Sequence, residues 1–272
     1  MPNQLVAGLQ VHYEIEGTGP QCMIFVHGFR NSTESWQPVR DRLDGQTFTA
    51  CFVDLPGCGR SDAPVSWERC TIESYAGVVD ELCATLGMTN PVVVGHSLGG
   101  AIAIRLALDH AHLPRALVLV APASTRGFDF VADGADEALI NATPEEARRF
   151  ARAAFHVPPD EDAFEELMVA VLAARHAHIE GAVRSMRDFH VLDALAKITA
   201  PTLIVAGDRD RHVPIRSTLT TAAAIPRALV QIFHNVGHVP FVEVPDQFTA
   251  LLDEFVLRDL PDAEQKRATI ER

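Results

Sequence analysis

The stretch Val92-Val93-Val94-Gly95-His96-Ser97-Leu98-Gly99-Gly100-Ala101 decides the fold. Three consecutive valines mark a strand buried on both faces, because branched side chains pack well on a pleated surface and neither face needs to meet water. Ala101 to Leu108 reads as a helix that begins almost where the strand stops. The join is tight, so glycines are required where side chains would collide. The serine at its apex is lifted above the sheet edge, beside a helix N-terminus that favours negative charge. Strand, G-x-S-x-G and helix in that order are the context in which a serine becomes a nucleophile. A glycine-rich turn carrying an incidental serine is the alternative, and both flanks count against it.

Working outward, short apolar runs alternate with longer amphipathic stretches. Cys22–Val26, Phe48–Val53, Pro91–Val94, Ala116–Val120, Thr202–Ala206 and Ala228–Phe233 are strand-sized and nearly all apolar. Such runs, separated by helical segments, predict a parallel sheet covered on both faces. Leu9–Ile15 alternates apolar and polar residues and ends in Gly17-Thr18-Gly19-Pro20, which reads as an edge hairpin. Helices are predicted at Trp36–Leu43, at Ile72–Leu86, whose apolar residues recur at helical spacing before Gly87, and at Gln247–Leu257 with Asp246 as N-cap.

Residues 124–197 behave differently. They hold no strong strand pattern and several helix signals. Thr143-Pro144-Glu145-Glu146 has the form of a capped helix start, and Val157-Pro158-Pro159-Asp160 ends that helix and opens the next. We read 1–123 and 198–272 as the core and 124–197 as a helical lid inserted between the sixth and seventh strands.

Composition bounds the function. The 272 residues are 47% hydrophobic, enough for a large core, and carry a net charge of −13, which repels phosphate backbones and argues against nucleic acid as a partner. The five cysteines, Cys22, Cys51, Cys58, Cys70 and Cys83, form no C-x-x-C pair, so no disulfide framework or zinc site is expected. No apolar run is long enough to span a bilayer and the N-terminus has no signal-peptide pattern, so a cytoplasmic protein without membrane association is expected.

A serine nucleophile needs a base, an acid to orient it and donors for the oxyanion. Phe25-Val26-His27-Gly28-Phe29 ends the first core strand, and the backbone N–H groups of Phe29 and Leu98 are the expected oxyanion donors; His27 reads as a loop-shaping residue. After the seventh strand, Gly207-Asp208-Arg209-Asp210 offers two acids; after the eighth, His234 to His238 offers two imidazoles. The residues by themselves leave both choices open. His156, His176, His178 and His190 resemble a metal set, but His176 and His178 stand two apart and share no helix face, so they read as surface or pocket polar residues.

Taken together the chain resembles the α/β-hydrolase family in its small single-domain form. The resemblance rests on His27-Gly28, on Asp54-x-Pro56-Gly57-x-Gly59-x-Ser61, on Gly95-x-Ser97-x-Gly99, on Gly207-x-x-Asp210 with Val213-Pro214, and on Gly237-His238, and it runs from about Leu9 to Phe255. It implies a mostly parallel eight-stranded sheet with helices on both faces, Asp210 as the acid, His238 as the base, and a structural role for the Asp54–Ser61 loop. Serine at 97 sets the chain apart from relatives with an aspartate nucleophile. The expected activity is cleavage of a carboxylic ester or lactone of small to medium apolar character, by a monomer or homodimer with no cofactor and no metal. Alternatives are hydrolysis of a carbon–carbon bond in a diketone acid, cofactor-free oxygenase or perhydrolase chemistry, and a ligand-binding receptor with little turnover. Phe128, Phe130, Phe155, Met186, Phe189 and Val239 are the expected pocket residues, and Arg30, Arg126, Arg184 and Arg187 are candidates for holding an acidic substrate.

Overall fold

The computed structural model describes residues 2–128 and 134–260. Among them are eight strands: β1 (Asn3–Val6), β2 (Leu9–Glu16), β3 (Gln21–Val26), β4 (Phe48–Val53), β5 (Val92–His96), β6 (Ala116–Val120), β7 (Thr202–Gly207) and β8 (Leu229–Phe233). They form one sheet in the order β1-β2-β4-β3-β5-β6-β7-β8, antiparallel across β1, β2 and β4 and parallel from β4 to β8. The helices are α1 (Gln37–Arg40), α2 (Ile72–Thr85), α3 (Leu98–Asp109), α4 (Ala135–Ile140), α5 (Pro144–Ala153), α6 (Glu161–Ala173), α7 (His176–Arg187), α8 (Ile215–Ala224), α9 (Pro240–Glu243) and α10 (Pro245–Glu254).

Alternation along the strands builds two apolar layers. Ile24, Val26, Val93 and Leu117 join one buried cluster with Tyr75, Val79 and Leu82 of α2 and Ile102 of α3. Met23, Phe25, Val94 and Val118 join the other, with Trp36, Val39, Phe241 and Phe248. Each layer is covered by helices, which is why the central strands read as uninterrupted apolar runs.

The edge differs from the reading of Gly17–Pro20 as a hairpin turn. The hairpin lies one strand earlier, between β1 and β2, and turns at Ala7 and Gly8, both at positive φ (48° and 75°), the geometry of a two-residue turn matched to strand twist. β1 is only four residues long and mixed in polarity, so it carries no periodic signal. Residues 17–20 instead carry the chain past β4 to β3, because β2 pairs with β4. Two helix boundaries also move. α10 begins at Pro245 with Val244 as N-cap, placing Asp246 in the first turn. The segment expected as one helix at 36–43 is a 3-10 turn at Thr33–Trp36 followed by α1. α8 was not anticipated.

Between β6 and β7 the described chain runs through α4 to α7. Thr143 caps α5 through a full capping box with Glu146, and the Asp160 side chain accepts from the Ala163 amide to start α6.

The strand order places the site. From β3 the chain moves to β4 on one side, then returns to β5 on the other, so the connections leaving β3 and β5 diverge. A crevice opens at the carboxyl ends of strands where this happens. Val26 pairs with Gly95, so the loop after Val26 and the turn at Ser97 emerge side by side.

Candidate active site

Ser97 sits between β5 and α3 at φ 52° and ψ −111°, a conformation that non-glycine residues rarely adopt. The turn is held by close backbone approach. A Cβ on Gly99 would lie 2.2 Å from the Val26 carbonyl oxygen, and one on Gly95 would lie 2.2 Å from the Gly99 carbonyl oxygen. Only glycine at both positions lets the strand, the turn and the β3 loop press together.

The structure resolves the two acids and two imidazoles into two pairs. Asp208 accepts from the His234 ring at 2.7 Å and from the Asn235 amide at 2.7 Å, and the His234 side chain is 77% exposed. Asp210 accepts from His238 Nδ1 at 2.7 Å, with the two side chains 2% and 6% exposed. His238 of the buried pair lines the cavity that Ser97 also lines, with Asp210 behind it, and the exposed pair closes a surface turn. Because Nδ1 donates to Asp210, Nε2 is the ring nitrogen left for a second partner. The second oxygen of Asp210 accepts the His212 and Val213 amides at 2.8 and 2.9 Å. Burial alone would raise the Asp210 carboxyl; the imidazole and the two amides outweigh it and hold the group below its ordinary range.

Phe29 lines the same cavity, and its loop is fixed from below by His27. The buried His27 ring accepts the Leu55 amide on Nε2 at 3.1 Å and donates from Nδ1 to the Gly28 carbonyl at 2.8 Å. Both nitrogens serve the backbone, which leaves neither for proton transfer. Among the described residues, no acceptor takes the N–H of Phe29 or of Leu98. The Leu98 side chain is fully buried in the core beneath the turn.

The Asp54–Ser61 loop is a folded support. Asp54 accepts the Thr33 and Arg60 amides at 2.7 and 2.9 Å, and Ser61 Oγ donates to the Asp54 carbonyl. Cys58 is buried in it, and burial drives its thiol well above the ordinary range.

Sequence reasoning passed over His96. Its buried ring donates from Nε2 to the His238 carbonyl at 3.0 Å and lies 4.8 Å from the His238 ring, centroid to centroid. Burial, then the neighbouring His238, drives His96 well below the ordinary histidine range, so it stays neutral. The signal was its place in the G-x-S-x-G run, inside the turn and beneath the site. His212 was also missed. It lines the cavity, its ring stands 5.1 Å from that of His238, and its Nε2 is buried without a partner.

The cavity has a volume of about 770 Å³ and is walled mainly by apolar side chains. Phe128, Phe155, Met186 and Val239 line it. Phe189 does not; it packs into the core cluster that holds α2 and α3. Phe130 lies outside the described residues. Of the candidate arginines, Arg187 pairs with Asp136 and Asp188, and Arg184 with Glu180 and Glu137. Arg126 is not among the cavity-lining residues, and its backbone forms an isolated antiparallel β-bridge with His190, whereas Arg30 lines the cavity.

A two-layered α/β sheet bearing a strained serine at a strand-to-helix turn defines a hydrolase class, and comparison with known proteins agrees. Residues 23–251 match the alpha/beta hydrolase family, and the chain belongs to it. It is 27% identical over 260 residues to the dihydrolipoyllysine-residue acetyltransferase component of the acetoin cleaving system of Cupriavidus necator, covering 91% of this chain and 66% of that protein. It is 27% identical over 266 residues to 2-hydroxy-6-oxononadienedioate/2-hydroxy-6-oxononatrienedioate hydrolase 2 of Pseudomonas putida, covering 91% and 92% of the two chains. Among solved structures, an esterase from Exiguobacterium antarcticum superposes with a TM-score of 0.85 at 25% identity, over 93% of this chain and 98% of that one.

Proposed function

We propose that the protein is a serine hydrolase that cleaves a carboxylic ester or lactone through Ser97, His238 and Asp210. The observation that carries this reading is the buried 2.7 Å bond from His238 to Asp210 beside a cavity that also receives Ser97. His238 Nε2 takes the Ser97 proton as Oγ bonds to the carbonyl carbon, and the carbonyl electron pair moves onto oxygen. The Phe29 and Leu98 amides receive that oxyanion, each donor being worth about 3 kcal/mol in the transition state. The carbon–oxygen bond to the leaving alcohol then breaks, and His238 returns the proton to it. Water, deprotonated by His238, then attacks the acyl carbon; the carbon–Oγ bond breaks, and His238 returns the proton to Ser97 Oγ. Asp210 stays ionised throughout and stabilises the imidazolium.

Residues 124–197 act in this reading as a lid over the chamber, with Phe128, Phe155 and Met186 supplying an apolar roof. The esterase among the structural neighbours supports the ester reading. A second reading, hydrolysis at a carbon–carbon bond of a keto acid, is favoured by the similarity to the Pseudomonas putida hydrolase.

The test is turnover of p-nitrophenyl acetate and butyrate, with labelling by a fluorophosphonate. Hydrolysis and labelling are expected in the wild type, and both are expected to vanish in Ser97→Ala. Undiminished hydrolysis in that variant overturns the nucleophile assignment. A panel of short esters, lactones and vinylogous diketones, scored by acid released, decides between the two readings.

A further inference from the structure

The chamber is walled mainly by apolar side chains, yet it holds a cation that has no counter-ion among the described residues. Arg30 is 7% exposed and lines the cavity directly after Phe29. Among the described residues its guanidinium makes one hydrogen bond, from Nη2 to the Leu139 carbonyl at 3.5 Å, and its buried Nε has no partner. Among the described residues no carboxylate pairs with it. The buried Cys58 thiol is the neighbour that favours its charge, and that thiol stays protonated at neutral pH. The residue is held at φ 56°, where glycine or asparagine would sit with less strain.

Burying an unpaired charge is costly, and proteins ordinarily pair such groups. The partner is therefore to be sought in what enters the cavity. Charge on the wall points the same way. Among the described residues, Arg30, Arg149 and Arg211 line the cavity with one carboxylate, Glu146, which pairs with the exposed Arg149 at 3.9 Å and leaves Arg30 and Arg211 in excess, in a chain whose net charge is −13. Glu146 is already engaged, accepting the Thr143 amide and hydroxyl at 2.9 and 2.8 Å.

We infer that Arg30 is a specificity-determining residue that anchors a carboxylate carried by the substrate, in addition to the acyl group that is cleaved. This rests on the hydrolase reading for the position of the reacting carbonyl. A guanidinium presents a planar fork of donors that matches the two oxygens of a carboxylate, and one monoanion balances its charge. A phosphate dianion would leave one charge uncompensated among apolar walls. The substrate class is thus the half-ester of a dicarboxylic acid, or the lactone of a hydroxy-dicarboxylic acid that keeps one free carboxylate, its neutral chain lying along the aromatic wall.

The experiment compares monomethyl esters of linear dicarboxylic acids, glutarate to suberate, with methyl esters of monocarboxylic acids of equal chain length. In the wild type, kcat/KM for the half-esters is expected to exceed that for the neutral esters by about 30-fold, the size of one charge-assisted hydrogen-bonded pair, with the gain in KM. Arg30→Met is expected to collapse that ratio towards unity and Arg30→Lys to retain part of it. A second readout needs no turnover: adipate is expected to raise the Tm of Ser97→Ala and not of the Ser97→Ala, Arg30→Met double variant. Esters hydrolysed by the wild type with no preference between the series overturn the inference and leave the hydrolase standing. If neither series is turned over, the p-nitrophenyl assay judges the hydrolase reading and the adipate shift alone decides Arg30: a shift lost with Arg30→Met supports the anchor, and no shift in Ser97→Ala overturns it.

Discussion

The main-chain amide of Arg30 donates to Nε2 of His178 at 3.2 Å, joining the β3 loop to helix α7, 148 residues further along the chain. The ring's Nδ1 donates to Tyr75 Oη at 2.7 Å, and the Tyr75 hydroxyl donates to the Pro56 carbonyl at 3.0 Å. Phe29 stacks on the same ring, with centroids 5.8 Å apart. One buried imidazole thus ties the inserted helices to the loop that carries the proposed oxyanion donor.

His178→Phe removes the acceptor and strands a buried N–H. Stability is expected to fall by about 1–3 kcal/mol in urea unfolding. The kcat for p-nitrophenyl butyrate is expected to fall at least tenfold as the Phe29 amide loses its alignment. Unchanged kcat in a destabilised variant would show that the contact serves folding alone.

Acid should unfold the protein early. Burial, followed by the charges of His27 and Arg30, lowers His178 to about 3; burial, followed by His238, lowers His212 to about 3. In the unfolded chain both titrate near the ordinary value of about 6.5. Between these limits the unfolded state binds more protons, so stability falls as pH falls, by up to about 1.4 kcal/mol per pH unit for each ring. Urea midpoints measured from neutral pH down to about pH 5 should show a shallower loss in His212→Gln than in the wild type. Parallel slopes would contradict the assignment.

The two acid–imidazole pairs make opposite predictions. Asp210→Asn mis-sets the His238 tautomer and is expected to cost about 10⁴ in kcat. Asp208→Asn touches an exposed pair and is expected to leave kcat within a few-fold of the wild type. Steady-state kinetics on one ester measures both, and a crippled Asp208→Asn would reverse the choice of acid.

Glu243 clasps the inserted helices to the loop of His238. Its two oxygens accept the amides of Gly237, His156 and Val157 at 2.8, 2.9 and 3.1 Å, while the His238 amide donates to the Ala154 carbonyl at 2.6 Å. Glu243→Gln turns one acceptor into a donor facing N–H groups. A loss of about 1–3 kcal/mol is expected, with kcat falling more than KM rises. Wild-type stability and kcat in that variant would refute the clasp.

Much of the sheet was legible because its strands obey a local rule: a strand buried on both faces must be apolar throughout, as at Val92–Val94 and Ala116–Val120. The capping box at Thr143 is local for the same reason, since its partners stand three residues apart. β1 escaped because its pairing depends on a neighbour rather than on its own pattern. Phe128 and Phe189 look alike in sequence, yet one faces the cavity and the other the core, which depends on how the inserted helices seat.

What the sequence by itself determined is the architecture and the strained serine turn, because apolar periodicity and the glycines around Ser97 act over a few residues. What only the tertiary structure decided is which acid meets which imidazole, that His178 supports the β3 loop, and that Arg30 is buried with no counter-ion among the described residues. Those are relations between residues far apart in the chain. Spacing carries no information about them, since burial, partner and charge balance arise only when distant segments close around the same space.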